Sequence, residues 1–119
     1  MRAILDTNAL MIPGQFGVDI FSELERLGYD RFIVPNQVVC ELKGLYKKGG
    51  NKVEVSVALS LLDRCEVVDA KGLADDMIIQ TAGEMNAAVV TIDAELRKRL
   101  KDKGITTICL RQKKRLDYV

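Results

Sequence analysis

Short apolar segments with the length of β-strands alternate along this chain with longer segments that have helical periodicity. The apolar segments lie at residues 3–5, 31–34, 65–68, 88–92 and 106–110. Apolar residues recur at helical spacing over residues 16–27, 37–48, 53–62, 75–85 and 93–103. Such alternation predicts βαβ units, and uninterrupted apolar strands are typical of a sheet covered on both faces. We therefore predict a three-layer α/β/α sandwich with a central, mostly parallel five-stranded sheet.

The length and composition are those of one compact globular domain. The chain has 119 residues, of which 48% are apolar and 29% charged. Residues 1–119 are therefore expected to form a single domain, with residues 111–119 as a basic C-terminal tail. No segment approaches the roughly 20 apolar residues of a membrane span, and Asp6 interrupts the apolar start too early for a signal peptide. A cytoplasmic protein without membrane contact is expected.

Four acidic positions lie at or near the places where a predicted strand is followed by a helix. They are Asp6, Glu41, Asp75 (beside Asp76) and Asp93. Because the carboxyl ends of parallel strands meet at one edge of a sheet, we expect these side chains to converge there. Each position also has a purely local explanation: helix capping or a first helical turn for the aspartates, and a surface salt bridge for Glu41. The combination is more specific than any single member.

The residue types restrict the chemistry that such a cluster can perform. The chain has no histidine, and its three cysteines form no CxxC pair, so a zinc site is not expected. Carboxylate oxygens select Mg²⁺ or Mn²⁺, and such an ion can activate water and neutralise charge on phosphorus. A phosphodiester is the substrate that most needs this combination.

Four short stretches of the sequence resemble the PIN-domain nuclease family along nearly the whole chain. They are Leu5-Asp6-Thr7-Asn8, Val38-Val39-Cys40-Glu41-Leu42, Ala74-Asp75-Asp76-Met77-Ile78 and Val90-Thr91-Ile92-Asp93. The resemblance implies a metal-dependent endonuclease for single-stranded RNA, working through metal-activated water. Asp6, Glu41, Asp75 and Asp93 would then be the catalytic and metal-binding acids, and Asn8, Asp76 and Thr91 would support them. Asp75 is preferred to Asp76 as the ligand because Ile78 and Ala82 then face inward.

Two branches of that family remain open. The stretch from Val34 to Lys43 resembles archaeal proteins similar to rRNA-processing PIN nucleases, whereas the small size resembles VapC-type toxins of toxin–antitoxin pairs. The Asp75-Asp76 doublet favours the first branch. Both branches imply RNA cleavage and commonly form homodimers, and the second implies an antitoxin partner.

Other function classes fit the sequence less well. A haloacid-dehalogenase phosphatase needs a second aspartate where Asn8 stands, and a receiver domain needs an acidic pair after its first strand. The remaining alternative is a catalytically silent PIN-like module that binds RNA or protein. Retention of all four acids argues against it, because clustered carboxylates repel one another.

The basic residues indicate where RNA would contact the chain. The net charge is only +1, so bulk charge does not predict nucleic-acid binding. Lys43, Lys113, Lys114 and Arg115 are the predicted phosphate contacts. The cations of the 93–103 segment are interpreted mostly as a solvated helix face. Three tyrosines and no tryptophan do not indicate a base-stacking platform.

Overall fold

A computed structural model describes residues 1–50 and 52–119 as strands and helices in regular alternation. In chain order the elements are β1 (Arg2–Leu5), α1 (Thr7–Phe16), α2 (Ile20–Arg26), β2 (Arg31–Pro35), α3 (Asn36–Lys48), α4 (Lys52–Leu61), a 3₁₀ turn (Leu62–Arg64), β3 (Glu66–Val68), α5 (Ala74–Met85), β4 (Ala88–Val90), α6 (Ala94–Asp102), β5 (Thr107–Arg111) and β6 (Arg115–Tyr118). The predicted α/β class and the mostly parallel sheet are confirmed.

The described strands form one sheet in the order β3-β2-β1-β4-β5-β6. Strands β1 to β5 are mutually parallel, and only β6 runs antiparallel to its neighbour. Helix α1 contacts α2, α3 and α4, and α3 also contacts α4. Helices α5 and α6 contact each other, and right-handed crossovers place them on the opposite face of the sheet. The strands β1 and β4 are almost wholly buried between these layers.

The direction of strand addition reverses at β1. The chain proceeds from β1 outward to β2 and β3, then returns to β4 on the other side of β1. Such a reversal leaves a crevice at the carboxyl ends of the two central strands, because the following helices lie on opposite faces. Leu5 pairs with Val90, so the chain leaves both strands at the same level of that edge.

Helix α1 packs tightly against α4 at Gly14. A Cβ atom added at Gly14 would lie 2.7 Å from the Cα atom of Glu54, closer than real Cβ contacts occur. Gly14 follows Pro13, which stands inside α1 and lacks the backbone donor of a regular helix. The absence of a side chain at Gly14 therefore sets how closely these two helices approach.

The sheet has six strands rather than the predicted five, because residues 111–119 do not form a free tail. Strand β6 pairs with β5 from Arg111↔Arg115 to Ile108↔Tyr118. Gln112 and Lys113 adopt φ values of 54° and 57°, as required by the tight turn that suits such a hairpin. Neither residue is the glycine or asparagine that usually marks this turn, and Leu116 alone on β6 is fully buried.

Two helical boundaries also differ from the predictions. The predicted helix over residues 16–27 starts later, because Phe16 ends α1 and Asp19 caps α2 by accepting from the backbone of Phe21 and Ser22. Helix α3 begins at Asn36, one residue before the predicted segment 37–48, and Pro35 holds the N-cap position. Within the described ranges, no helix is long and apolar enough to cross a membrane.

Candidate active site at the carboxyl edge of the sheet

The four predicted acids line one cleft at the carboxyl edge of the sheet. Asp6 follows β1, Asp93 follows β4, Glu41 stands on α3, and Asp75 lies in the first turn of α5. The cleft has a volume of about 290 Å³. Its other lining residues are Thr7, Asn8, Val38, Ala74 and Ile78. The reversal of strand addition at β1 thus brings together acids that are up to 87 residues apart (93 − 6 = 87).

Asp6 is the most deeply buried of these acids. It is 6% exposed, and one carboxylate oxygen accepts a 2.7 Å hydrogen bond from the backbone N–H of Ala9 at the start of α1. Burial raises the pKa of Asp6 to about 6, although hydrogen bonds from Thr91 and Ala9 oppose the shift. The charges of Asp75 and Asp93 raise it further. The negative charge of Asp6 is therefore unfavourable unless a cation compensates for it.

Thr91 connects the two aspartates that follow the central strands. It is fully buried and continues from β4 beside the end of β1. Its hydroxyl accepts a 3.1 Å hydrogen bond from the backbone N–H of Asp93, and its side chain lies near enough to the Asp6 carboxylate to lower the pKa of that group. The structure thus places Thr91 next to both acids that the sequence assigned it to support.

Asp93 caps α6 and also lines the cleft. Its Oδ1 atom accepts from the backbone N–H groups of Glu95 (2.9 Å) and Leu96 (3.2 Å). Both capping bonds use the same oxygen, so the second oxygen has no backbone partner among the described residues. Capping and a role in the cleft are therefore compatible for one carboxylate, and the same holds for the Oδ1 cap made by Asp6.

The two acids of the doublet occupy different surroundings. Asp75 lines the cleft, and its pKa is raised by desolvation and then by the charge of Asp93, while Arg99 lowers it. Asp76 instead forms a 2.7 Å ion pair with Arg99 of α6. The sequence did not predict an ion pair between Arg99 and Asp76. The position of Arg99, one helical turn after Glu95, gives no sequence signal for that pairing. Of the two neighbours, Asp75 is the one that faces the other acids.

Asn36 and Gln37 hold the loop that leads to Asp75. The Asn36 side chain accepts a 2.9 Å hydrogen bond from the backbone N–H of Ala70. The Gln37 amide donates to the carbonyl oxygens of Ala70 (2.7 Å) and Gly72 (3.2 Å). These bonds join the start of α3, which carries Glu41, to the loop before α5. The sequence offered no signal for this role beyond polar residues at a helix start.

The predicted phosphate-contacting lysines and arginine do not line the acidic cleft. Lys43 is exposed on α3, two residues after Glu41. Lys113 and Lys114 stand at the β5–β6 turn and line a separate hollow with Asp19 and Glu23. Arg115 begins β6 with its Nε atom 4.0 Å from a carboxylate oxygen of Asp117. Only Lys43 shares a helix with a cleft residue.

The donor set of the cleft suits a hard divalent cation. Among the described residues, however, no three acidic or cysteine side chains stand close enough together to hold a metal ion by themselves. Mg²⁺ in proteins usually takes one or two carboxylates and keeps several waters or substrate phosphates. A cleft of about 290 Å³ has room for a hydrated ion, since one water occupies about 30 Å³. The residues therefore suit a Mg²⁺ or Mn²⁺ ion that keeps several of its waters, rather than an ion enclosed entirely by protein ligands.

Two curated proteins align with nearly the whole chain. Ribonuclease VapC9 of Archaeoglobus fulgidus is 33% identical over 116 residues, covering 96% of this chain and 86% of the relative. Ribonuclease VapC4 of Methanocaldococcus jannaschii is 31% identical over 121 residues, covering 95% and 92%.

Solved structures share the fold. The PIN domain endonuclease Utp24 superposes with a TM-score of 0.79 at 25% identity, covering 99% of this chain and 92% of that one. VapBC2 from Rickettsia felis, solved bound to a DNA fragment from its promoter, gives a TM-score of 0.68 at 20% identity, covering 93% and 100%, and shows similarity of fold alone. The model of the PIN like domain family matches residues 3–113. This chain belongs to the PIN-like domain family.

Proposed function

We propose that this protein is a Mg²⁺- or Mn²⁺-dependent endoribonuclease that hydrolyses phosphodiester bonds of single-stranded RNA. The observation that carries the proposal is the convergence of Asp6, Glu41, Asp75 and Asp93 on one cleft from four different elements. The similarity to two proteins named ribonuclease supports RNA as the substrate. Because the chain lacks histidine, no imidazole is available as a general base.

One or two of the cleft carboxylates would bind the metal directly, and the others would hold its waters and orient the attacking one. A bound divalent ion supplies charge neutralisation at the phosphate and lowers the pKa of water. Asp6 and Asp93 are held by the backbone of α1 and α6, so their free oxygens are fixed before substrate arrives. Such preorganisation lowers the reorganisation needed during the reaction. Glu41 and Asp75 enter the cleft from α3 and α5, and Asn8 adds a neutral amide beside them.

The relatives, rather than the cleft, bear on the proposed cellular role. Both curated relatives are named VapC, which supports a toxin with an antitoxin partner, whereas the match to Utp24 is consistent with a processing nuclease. A cytoplasmic homodimer is part of the proposal in either role. Co-expression with the product of a small adjacent reading frame separates the two: relief of growth inhibition supports the toxin role, and unaffected growth without that partner supports processing.

Metal-dependent cleavage tests the proposal. A labelled single-stranded RNA should be cut by the wild-type protein with Mn²⁺ or Mg²⁺, remain intact with EDTA, and be cut again once Mn²⁺ is restored in excess. Intact RNA under every metal condition, with RNA binding retained, would instead support the catalytically silent binding module. Cleavage that persists in EDTA would contradict the metal requirement.

A further inference from the structure

A second cavity of the described structure lies along α6 and is separate from the acidic cleft. It has a volume of about 780 Å³ and is lined on one side by Arg97, Lys98 and Lys101 of α6. On the other side it is lined by the segment from Gly104 to Thr107, where β5 begins, and by Tyr118 of β6 with Val119. We call it the α6 groove. The sequence predicted a solvated helix face here, but the structure arranges three cations beside an aromatic ring.

The cations that line the α6 groove form no ion pairs with the described residues. Among residues 1–50 and 52–119, no acidic group lies within 4 Å of the charged nitrogens of Arg97, Lys98 or Lys101. The Nε atom of Arg97 is buried and has no hydrogen-bond partner in this part of the chain. Buried donors are normally paired, so the guanidinium of Arg97 is under-used by the protein and its other nitrogens can take an additional acceptor. An anionic oxygen is the strongest such acceptor.

The acidic cleft and the α6 groove are lined by consecutive residues at the start of α6. Asp93 lines the cleft, and the next residue, Ala94, lines the groove. From Ala94 the groove follows α6 to Gly104, and Arg99 points away from it to its ion pair with Asp76 on α5. A polyanion that occupies the cleft can therefore continue over the start of α6 into the groove. The cations from Arg97 to Lys101 span about 6 Å of helix axis, since each residue rises about 1.5 Å.

The ring of Tyr118 favours a nucleic acid over other polyanions. Tyr118 is 39% exposed, and its hydroxyl is held 3.3 Å from the hydroxyl of Tyr29, so the ring is fixed at the groove wall. Single-stranded nucleic acids bind in grooves that combine cations for the backbone with aromatic rings for base stacking. Ile105 adds apolar lining beside the ring.

We propose that the α6 groove binds the segment of single-stranded RNA that flanks the bond placed in the acidic cleft. This inference rests on the proposed function for the identity of the polymer. Lys98 and Lys101 would contact phosphates, the Arg97 guanidinium would add positive charge at the groove wall, and Tyr118 would stack on one base. RNA that reaches only the acidic cleft would gain nothing from these residues.

Binding measurements in a non-cleaving background test the groove. Fluorescence anisotropy of labelled single-stranded RNAs of about 4 and about 12 nucleotides would be measured with the Asp6→Asn protein. Adding Lys98→Gln and Lys101→Gln should weaken binding of the longer RNA by about tenfold and leave the shorter one nearly unchanged. The slope of log affinity against log salt should fall by about 1.4, since each single-strand phosphate contact contributes about 0.7. The matched control is Lys47→Gln with Lys48→Gln, because both lysines are exposed on α3 and line neither cavity.

The ring is tested separately from the charges. Tyr118→Leu should weaken binding of the longer RNA by about fivefold or more, whereas Tyr118→Phe keeps the ring and should bind like the parent. A polyglutamate peptide serves as the competing polyanion. If the peptide binds as tightly as RNA and Tyr118→Leu changes neither affinity, the groove is an acidic-peptide surface and the proposal is overturned.

The groove and the proposed function can fail independently. Equal RNA affinities and salt slopes for the groove variant and the control variant would overturn the proposal that the α6 groove binds RNA, even if the wild-type protein cleaves RNA. Conversely, groove-dependent binding of the longer RNA without any metal-dependent cleavage by the wild-type protein would contradict the nuclease and leave the groove as an RNA site. Circular dichroism of each variant verifies that the fold is retained.

Discussion

Arg99 of α6 donates a 2.7 Å hydrogen bond to the carboxylate of Asp76 on α5, while the preceding Asp75 lines the acidic cleft. Two adjacent aspartates thus face different surroundings within one helical turn. The ion pair joins the two helices on the same face of the sheet, and both of its side chains are about half exposed. This division of the doublet allows the role of the cleft to be tested with two nearly identical substitutions.

Asp75→Asn should lower the rate of RNA cleavage by about 100-fold or more, because it removes a charge that the proposed metal site requires. Asp76→Asn should change the rate only a few-fold and cost at most about 1 kcal/mol of stability, as exposed ion pairs contribute little. Initial rates under excess Mn²⁺ and urea unfolding of both variants provide the comparison. A larger loss of activity in Asp76→Asn than in Asp75→Asn would contradict the assignment of Asp75 to the metal site and favour Asp76.

The buried Asp6 should make the metal-free protein less stable as the pH rises. Its pKa of about 6 in the folded state lies above the ordinary value of 3.8, so the folded protein binds the proton more tightly than the unfolded chain does. The favourable contribution is complete below pH 3.8 and is lost as the pH rises through about 6. The difference corresponds to about 3 kcal/mol.

Asp6→Asn should therefore raise the free energy of unfolding in EDTA at pH 8 by up to about 3 kcal/mol, and by progressively less as the pH falls toward 4. Asparagine keeps an oxygen that can accept from the Ala9 N–H but carries no charge. Urea titrations of both proteins across this pH range measure the effect. A variant that is less stable than the wild type at pH 8 would show that the ionised carboxylate is not unfavourable in the fold.

Gln37 should act on catalysis by positioning the loop that leads to Asp75. Gln37→Ala removes the hydrogen bonds to Ala70 and Gly72, so the loop and the start of α5 lose a connection to α3. We expect about tenfold weaker Mn²⁺ affinity and a stability loss of about 1 kcal/mol. Gln80→Ala is the control, because its amide donates only to the exposed Glu84 on the same helix. Equal Mn²⁺ affinities of the two variants, measured by calorimetry, would contradict a positioning role for Gln37.

The contact between α1 and α4 should make Gly14 intolerant of any side chain. Gly14→Ala would place a methyl group against the backbone of Glu54 and should cost about 1–3 kcal/mol, despite the better helix propensity of alanine. At Gly83 in α5 an added Cβ has no neighbour within 4 Å, so Gly83→Ala should stabilise the protein by about 0.5–1 kcal/mol. Thermal unfolding of the two variants should shift in opposite directions. A Gly14→Ala protein as stable as the wild type would mean that α4 moves away without cost.

The sequence predicted the central part of the molecule well, because burial on both faces leaves a continuous apolar signature. Strand β4 reads Ala88-Val89-Val90 and is almost completely buried, and the acids that follow β1 and β4 line the cleft as expected. Strand β6 left a weaker signal, because it lies at the sheet edge and buries only Leu116 completely. Its turn uses Gln112 and Lys113 in a conformation that those residues rarely adopt.

Contacts between distant polar side chains were beyond prediction for a different reason. The ion pair of Asp76 with Arg99 and the bonds from Gln37 to the Ala70 loop depend on how neighbouring elements are placed, which no local pattern encodes. The α6 groove could not be predicted for the same reason, since it too depends on how neighbouring elements are placed. Its cations were visible in the sequence, but their position beside Tyr118 depends on β6 joining the sheet.

Cleavage of labelled single-stranded RNA by wild-type and Asp6→Asn proteins, each assayed with Mn²⁺ over a range of concentrations, tests the central claim most directly. The account predicts metal-dependent cleavage by the wild type and a loss of about 100-fold or more in the variant, which excess Mn²⁺ does not restore, while circular dichroism shows an unchanged fold. Undiminished cleavage by a pure Asp6→Asn protein would contradict the account, because the most buried carboxylate of the cleft would then have no part in the chemistry.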